Sequence, residues 1–302
     1  MRQVKWRVKP ARVGHLGTLD PFATGVLPIL VGEGTKLAPF LHDGDKHYEG
    51  LIALGTETDT LDRTGEVVRT APIPTIDKAR LEAIAARFSG TVIQTPPIFS
   101  AIKRDGVPLY KLARRGDEVA PPPPREVQIA QLELTAAGAD AIRFSLVCSP
   151  GTYMRSLARD IGAALDSAAH LAELRRTRSG GFAIENARPM ATVLAALDGR
   201  SNPLTPASEA RHADHGGDVG LIAMRDAVPE LPEVAVDAAI EQRLRNGDSR
   251  ALDGLVPPRA LDGGVTPRAN KHFKVICDGQ LLAIAEATSR VTAVIARVFV
   301  AS

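Results

Sequence analysis

The sequence is poor in the features that identify several common classes of protein. Only 2 of its 302 residues are cysteines, Cys148 and Cys277, and they lie far apart and outside any Cys-x-x-Cys pattern. This argues against a disulfide framework and against a zinc ribbon. No apolar run approaches the ~18–20 residues that span a bilayer. The net charge is only +2, so any affinity for nucleic acid must come from local basic patches.

The composition is otherwise that of a folded globular protein. Hydrophobic residues make up 44% and charged residues 24% of the chain, which is close to the globular average and excludes a largely disordered or fibrous protein. The length corresponds to about two domains. Residues 1–10 are basic and contain no apolar segment of the kind found in secretory signals. We therefore expect a cytoplasmic protein.

Hydrophobic periodicity predicts a large α+β domain at the N-terminal side. Alternating patterns predict strands, apolar residues three or four positions apart predict helices, and Gly and Asp mark the turns between them. The predicted strands are 46–54, 66–70 and 141–148, and the predicted helices are 76–88 and 152–165. We place this domain at residues 1–200.

A small β-rich domain is predicted at 228–302. It contains an amphipathic helix at 235–245, a hairpin around Asp278-Gly279 and a last strand at 291–300. The Asp-Gly pair is typical of a type I′ turn. Residues 201–227 are predicted as the linker between the two domains. The linker contains His212 and His215, and we interpret them as linker polarity because an isolated pair is a weak metal signal.

The segment Gly14–Gly25 carries the first candidate, Asp20. Its glycines allow tight turns and close approach of a ligand, and Asp20 precedes Pro21, which favours extended backbone. A carboxylate on such a loop can serve as a nucleophile or a base. The alternative is an Asx-type turn, since Asp before Pro is common in such turns. Spacing alone favours the turn.

Arg155 and Tyr48 are the next candidates. Arg155 lies just inside a predicted helix that follows a strand, where an arginine can hold a carboxylate through two hydrogen bonds; the alternative is a solvated helix face. Tyr48 begins a predicted strand, and a tyrosine can stack on a base and donate or accept a proton. The alternative is a tyrosine at the edge of the core.

Residues 94–126 form a long basic excursion between the predicted elements. Long ordered loops in compact domains are usually functional, and basic residues with an interleaved tyrosine suit an RNA backbone. A solvated helix face is an equally good interpretation. The basic residues singled out here are Lys103, Arg104, Lys111 and Arg114.

Six segments, in this order, resemble the signature of the TruB family of tRNA pseudouridine synthases. The similarity runs from about residue 11 to residue 182. The segments are Gly14–Pro28, Gly32–Lys36, Asp45–Tyr48, Leu54-Gly55 with Thr58–Thr60, Gln94–Pro97 with Ser100–Lys103, and Gly151–Arg155. The region 228–302 is similar in outline to the small PUA-like domain that ends bacterial members.

The resemblance implies an α+β pseudouridine-synthase fold, with a mixed or antiparallel central sheet flanked by helices and a small β-rich, PUA-like C-terminal domain. It implies an isomerase that converts the T-loop uridine at position 55 of tRNA to pseudouridine after base flipping. It implies no cofactor and no metal, and neither membrane association, guide RNA nor an obligatory protein partner. A monomer that binds the T-arm of tRNA is expected.

The resemblance also implies roles for single residues. Asp20 is the catalytic carboxylate, Arg155 pairs with it, and Tyr48 stacks under the target base and is a candidate proton acceptor. Whether Asp20 attacks C1′ or the base, or assists a glycal route, stays open. His15 supports the flipped-out nucleotides, Tyr153 and Leu174 line the pocket, and the RNA-binding residues are Lys36, Arg176 and the basic residues of the 94–126 insert, which resembles the family's RNA-binding thumb.

One part of the family pattern is absent. Family members carry a first strand and a Lys-Pro-x-Gly motif before the Gly-His block, whereas only fourteen residues precede His15 here and the context of Lys9-Pro10 does not fit. Either the start codon is assigned too far downstream or the chain lacks a strand beside the active-site loop. The alternative functions are a tRNA-binding or folding module with impaired catalysis and a guide-RNA-dependent relative.

Overall fold

The structure is a computed structural model that describes residues 1–115, 119–199, 220–257 and 271–299. In chain order, its helices are α1 (Arg2–Arg7), α2 (Ala38–Leu41), α3 (Lys78–Arg87), α4 (Leu109–Arg114), α5 (Met154–Ala164), α6 (Met190–Asp198) and α7 (Ala238–Arg245). Its 3-10 helices are Gly32–Leu37, Ile184–Asn186 and Ser249–Leu252. The strands are β1 (Val13–His15), β2 (Thr24–Gly25), β3 (Ile29–Val31), β4 (Lys46–Leu54), β5 (Thr56–Thr58), β6 (Val67–Thr70), β7 (Gly90–Gln94), β8 (Lys103–Arg104), β9 (Val107–Pro108), β10 (Arg125–Ala136), β11 (Ala141–Cys148), β12 (Ala169–Ser179), β13 (Phe182–Ala183), β14 (Glu233–Ala235), β15 (His272–Cys277), β16 (Gln280–Ala287) and β17 (Ala293–Val298).

The chain divides into two compact units. The Asp20 unit comprises Gly17–Pro28 and His42–Asn186, and the terminal unit comprises Met1–Leu16, Ile29–Leu41 and Ala187–Ser302. The domain boundaries at 1–200 and 228–302 stay a prediction. Most of the predicted linker 201–227, with His212 and His215, lies outside the described residues.

The Asp20 unit is built on a seven-stranded sheet. Its order is β13-β12-β4-β11-β10-β7, all neighbours are antiparallel, and β2 pairs in parallel with β12. Helices α3 and α5 pack on the face that carries Ile142, Phe144 and Leu146 of β11. This confirms the predicted alternation of β11, because those side chains point to one face of a pleated strand.

The apolar spacing explains why α5 lies on the sheet. Leu157 and Ile161 are four positions apart, so they share one helix face, and both are buried in the same core. Burying each such side chain contributes about 1.5–3 kcal/mol. The helix begins at Met154 and not at 152 as predicted, because Tyr153 still has extended backbone.

The other boundaries in this unit follow from local caps and turns. Strand β4 has the predicted bounds, and β6 begins one residue later than predicted. Helix α3 is shorter than the predicted 76–88, since Asp77 caps it by accepting a hydrogen bond from the Arg80 amide. The sequence patterns did not predict strand β12, in which basic residues interrupt the apolar alternation.

The terminal unit contains a four-stranded sheet in the order β14-β15-β16-β17. Asp278 and Gly279 have φ values of 47° and 78°, and two successive positive φ angles are those of a type I′ turn. The predicted hairpin is therefore confirmed. The parallel pairing of β14 with β15 was not predicted. A second, two-stranded sheet pairs β1 with β3.

The basic excursion 94–126 contains its own small elements. Strands β8 and β9 form a hairpin around Asp105-Gly106, and α4 follows directly. Residues 116–118 lie outside the described residues. In the described part of the chain, no helix is both long and apolar enough to cross a membrane.

Candidate active site

Asp20 is carried by a loop whose turn is made by the backbone. The Ala23 amide donates to the Asp20 carbonyl over 3.0 Å, so Pro21 and Phe22 occupy the centre of a tight turn. This is a main-chain turn and not the Asx-type turn considered as the alternative, so the carboxylate of Asp20 stays available for other partners. The side chain of Asp20 keeps 24% of its surface exposed.

Arg155 binds that carboxylate with both arms of its guanidinium group. Nε donates to Oδ2 and Nη2 donates to Oδ1, each over 3.0 Å. The Arg155 side chain is only 7% exposed, and charge-assisted, two-point pairs of this kind are the strong and directional ones. The structure thus brings together the two residues that the sequence analysis paired.

A second carboxylate lies on the same arginine. Asp62 is buried, and its Oδ2 lies 3.7 Å from Arg155 Nε. Its other oxygen accepts from the Thr60 hydroxyl and the Thr64 amide, each over 2.9 Å. The sequence analysis missed Asp62 as a site residue; the available signal was its place at the start of the turn that follows Thr58–Thr60.

Backbone carbonyls complete the surroundings of Arg155. Nη1 donates to the Thr60 carbonyl and Nη2 to the Phe99 carbonyl, each over 3.0 Å. Because these acceptors come from two different segments, they fix the plane of the guanidinium group.

Tyr48 lies on β4, where it is the cross-strand partner of Leu146 on one side and of Arg176 on the other. It is half-buried and packs against the main core. Burial raises the pKa of the phenol, and the Arg176 guanidinium counteracts part of this rise. At neutral pH Tyr48 therefore carries its proton and is a hydrogen-bond donor.

Gln94 anchors the beginning of α5; the sequence analysis named it only as part of the family segment Gln94–Pro97 and assigned it no role. Its amide group donates to the Tyr153 carbonyl over 3.0 Å and accepts from the Tyr153 amide over 2.8 Å. The Ser156 hydroxyl donates to the Thr95 carbonyl over 2.8 Å. These hydrogen bonds, on both sides of Arg155, connect the start of α5 to Gln94 and Thr95, the first residues of the basic insert.

The predicted pocket-lining and insert residues occupy different surroundings. The Tyr153 ring stacks under the Arg125 guanidinium, with 4.8 Å between the Arg125 carbon and the ring centroid. Leu174 is buried in the main core. The four basic residues of the insert that were predicted to bind RNA are exposed: Lys103, Arg104, Lys111 and Arg114.

Three further residues predicted to bind RNA have partners inside the protein or lie in the terminal unit. Arg176 is 1% exposed, and its guanidinium group donates to backbone carbonyls of the Asp20 unit; its role in RNA binding stays a prediction. Lys36 lies in the 3-10 helix of the terminal unit and donates to Glu33 and to the Val298 carbonyl, over 2.6 and 3.0 Å. His15 ends β1 of that unit, and its Nδ1 is buried with no hydrogen-bond partner among the described residues.

Over the residues that the structure describes, no group of three or more His, Cys, Asp or Glu side chains is placed to hold a metal ion.

Two family models match consecutive parts of the chain. The one described as TruB family pseudouridylate synthase (N terminal domain) matches residues 5–154, and the one described as tRNA pseudouridylate synthase B C-terminal domain matches residues 155–202. Together they cover the Gly-His block, Tyr48 and Arg155. The family predicted from the six segments is confirmed.

Individual relatives agree with these matches. The tRNA pseudouridine synthase B of Stutzerimonas stutzeri is 48% identical over 182 residues, which is 60% of this chain and 59% of that protein. The protein of the same name from Pseudomonas syringae pv. syringae is 50% identical over 184 residues, which is 61% of this chain and 60% of that protein. The chain thus spans about three fifths of the length of these curated relatives.

Solved structures share the fold. A chain in the Cbf5-Nop10-Gar1 complex is similar with a TM-score of 0.65 at 22% identity, over 99% of this chain and 80% of that chain. At this identity the likeness concerns the fold alone. The predicted fold class, a pseudouridine-synthase sheet flanked by helices with a β-rich C-terminal region, is confirmed.

Proposed function

The chain belongs to the TruB family of pseudouridylate synthases, and on that premise we propose that it converts the T-loop uridine at position 55 of tRNA to pseudouridine. The observation that carries the proposal is the two-point pair between Arg155 and Asp20. It presents one partly exposed carboxylate on a loop whose backbone is fixed by its own turn. A carboxylate held in this way is pre-organised for attack or for proton transfer.

The proposed reaction conserves the composition of the nucleotide. The bond from C1′ to N1 of uracil breaks, the base turns, and a bond forms from C1′ to C5. The proton on C5 then leaves, and N1 takes one up, so no oxidant, reductant or co-substrate is consumed. Asp20 is the catalytic carboxylate; attack on C1′, attack on the base and assistance of a glycal route are all compatible with its position.

Tyr48 is proposed to stack under the target base and to take part in removing the C5 proton. Because burial raises the pKa of this phenol, Tyr48 enters the reaction with its own proton in place. It therefore accepts the C5 proton only as it passes its own proton on, and otherwise acts by stacking and by hydrogen-bond donation.

The proposed substrate must be opened before it reacts. Taking a base out of its stack costs a few kcal/mol, and contacts elsewhere on the RNA have to supply that energy. The exposed basic side chains of the insert are suited to phosphate groups, which fix the position of the RNA without reading its sequence. We propose a monomer that works in the cytoplasm on tRNA alone, without guide RNA or protein partner.

Mapping of pseudouridine in a tRNA transcript tests the proposal. An unmodified transcript is incubated with the purified chain alone, and carbodiimide adducts are located by primer extension. We expect one stop, at position 55, and none with a transcript that carries cytidine there. A stop at another position would contradict the substrate assignment. No stop, with salt-dependent tRNA binding retained, would favour the RNA-binding module.

A further inference from the structure

Arg176 is a buried arginine on β12 whose guanidinium group reaches both ends of the loop that carries Asp20. Nε donates to the Val26 carbonyl over 2.9 Å, which is the far end of the loop. Nη2 donates to the Gly17 carbonyl over 3.2 Å and Nη1 to the Thr18 carbonyl over 3.4 Å, which are its near end. One side chain therefore spans the base of the loop.

The backbone of Arg176 holds the same loop. Strand β2 pairs with β12 through Thr24 and Gly25, and the Val26 amide donates to the Arg176 carbonyl over 2.9 Å. Gly25 has a φ of 105°, and a Cβ atom on it would collide with the backbone of Arg176. Only glycine allows this approach, so the loop is fixed to β12 at main-chain distance.

The same arginine connects the loop to the strand of Tyr48. Arg176 is the direct cross-strand partner of Tyr48. Its contacts therefore determine how far the Asp20 loop lies from the strand that carries the proposed stacking residue. An error of about 1 Å in such a distance can lower a rate by 10²-fold.

Burial of Arg176 is costly for stability. Among the described residues it has no carboxylate within ion-pair distance, and its guanidinium group donates to the neutral backbone carbonyls of the Asp20 loop. Lys46, a second buried cation, lies nearby; burial lowers the pKa of its amine, and the charge of Arg176 lowers it further. A well-packed apolar side chain would avoid this desolvation cost, so stability alone does not account for an arginine here.

We propose that Arg176 is a positioning residue that sets the place of Asp20 relative to Tyr48, and that it is not an RNA contact. The inference rests on the proposed function, because it assigns Arg176 a part in the same reaction. It replaces the role in RNA binding that the sequence analysis predicted for this residue.

Two substitutions separate positioning from RNA binding. Arg176→Lys keeps the positive charge and removes the branched guanidinium group. One ammonium group cannot reach both ends of the loop. Arg176→Met removes the charge as well. The matched controls are Arg143→Lys and Arg143→Met, on the exposed Arg143 of β11 in the same sheet. Folding is checked by circular-dichroism melting.

The measurements are the single-turnover rate of tritium release from tRNA labelled at C5 of uridine, and tRNA affinity at several salt concentrations. We expect both Arg176 variants to lower the rate by about 10²-fold with a full reaction amplitude. Affinity and its salt dependence should match those of the wild type. A variant that is only unstable would lose amplitude and keep its rate.

Other outcomes would overturn the inference. An unchanged rate with weaker binding, and a salt slope shallower by about 1 in Arg176→Met, would identify an RNA contact. An unchanged rate with unchanged binding would show that Arg176 neither positions the Asp20 loop nor contacts RNA. An inactive wild-type protein would overturn the proposed function and this inference with it, whereas an active wild type with equally active variants would overturn the inference alone.

If the Arg176 variants do not fold, a substitution in the loop itself tests whether the rate depends on the position of the loop. Gly25→Ala leaves Arg176 intact and forces the loop away from β12. We expect the same loss of rate with normal tRNA affinity. The control is Gly181→Ala, where a Cβ meets no atom within 4 Å. A wild-type rate in Gly25→Ala would contradict the proposed dependence on loop position.

Discussion

The Arg155 guanidinium donates one hydrogen bond to each carboxylate oxygen of Asp20, both over 3.0 Å. The remaining contacts of the arginine are two carbonyls and the carboxylate of Asp62. Arg155 is thus oriented by groups other than Asp20. The carboxylate meets a partner that is already in place, which is what pre-organisation requires.

Arg155→Lys should lower turnover sharply, by about 10²-fold, and leave tRNA binding almost unchanged. A lone ammonium cannot reproduce the two-point contact, and the buried side chain offers nothing to RNA. Turnover and tRNA affinity are measured side by side, with Arg159→Lys as the control one helical turn later on α5. If affinity fell in step with turnover, Arg155 would be an RNA contact.

Asp62→Ala should lower the free energy of unfolding by about 2 kcal/mol. Removing one partner of a buried ion pair costs ~3–5 kcal/mol, and the cost is smaller here because Arg155 retains Asp20. Urea unfolding measures the change, with the exposed Asp59 of the same segment as the site of the control, Asp59→Ala. Equal stability of the two variants would show that Asp62 does not hold Arg155.

The predictable part of the site consists of residues that lie in short, contiguous sequence patterns. The Gly14–Gly25 block, the start of β4 and the start of α5 each read as a local unit, and the structure brings Asp20 and Arg155 together from two of them. Their family resemblance supplied the pairing; spacing alone favoured a turn for Asp20 and a solvated face for Arg155.

The parts that were missed depend on contacts between distant segments. Gln94 lies 59 positions from Tyr153 and bonds only to its backbone, which no local pattern reveals. Arg176 belongs to a run of basic residues, which is typical of an exposed surface. It is buried because β2 pairs with β12 at this residue, and this pairing joins segments that are far apart in the sequence. Strand β12 itself was missed because basic residues interrupt its alternation.

The basic insert should contribute to affinity and not to the chemical step. Lys103→Ala and Lys111→Ala should each weaken tRNA binding and reduce the slope of log affinity against log salt by about 1. The control is Lys78→Ala, a lysine with 90% of its side chain exposed on α3. Single-turnover rates at saturating enzyme should be unchanged. Unchanged salt slopes would show that these two lysines of the insert do not contact RNA phosphates.

The alkaline stability of the protein should depend on Cys148. Burial raises the pKa of this thiol from its usual value near 9 to about 11. In the unfolded chain the thiol loses its proton first, so its contribution is complete below pH 9 and is lost between pH 9 and pH 11. Two pKa units correspond to at most about 2.7 kcal/mol.

Urea unfolding at pH 8 and pH 10.5 measures this contribution. Cys148→Ala should lose less stability than the wild type over this interval, although other groups titrate in both proteins. An identical loss in the two proteins would show that the Cys148 thiol ionises as readily in the fold as in the unfolded chain.

Tritium release from tRNA labelled at C5 of uridine, compared between the wild type and Asp20→Ala, tests the central claim most directly. Formation of the carbon–carbon bond expels the C5 hydrogen, so release reports the chemical step itself. We predict release by the wild type and a loss of more than about 10²-fold in Asp20→Ala, with tRNA binding retained and the variant still folded by circular dichroism at the assay temperature. Equal release by the two proteins would contradict the role of Asp20.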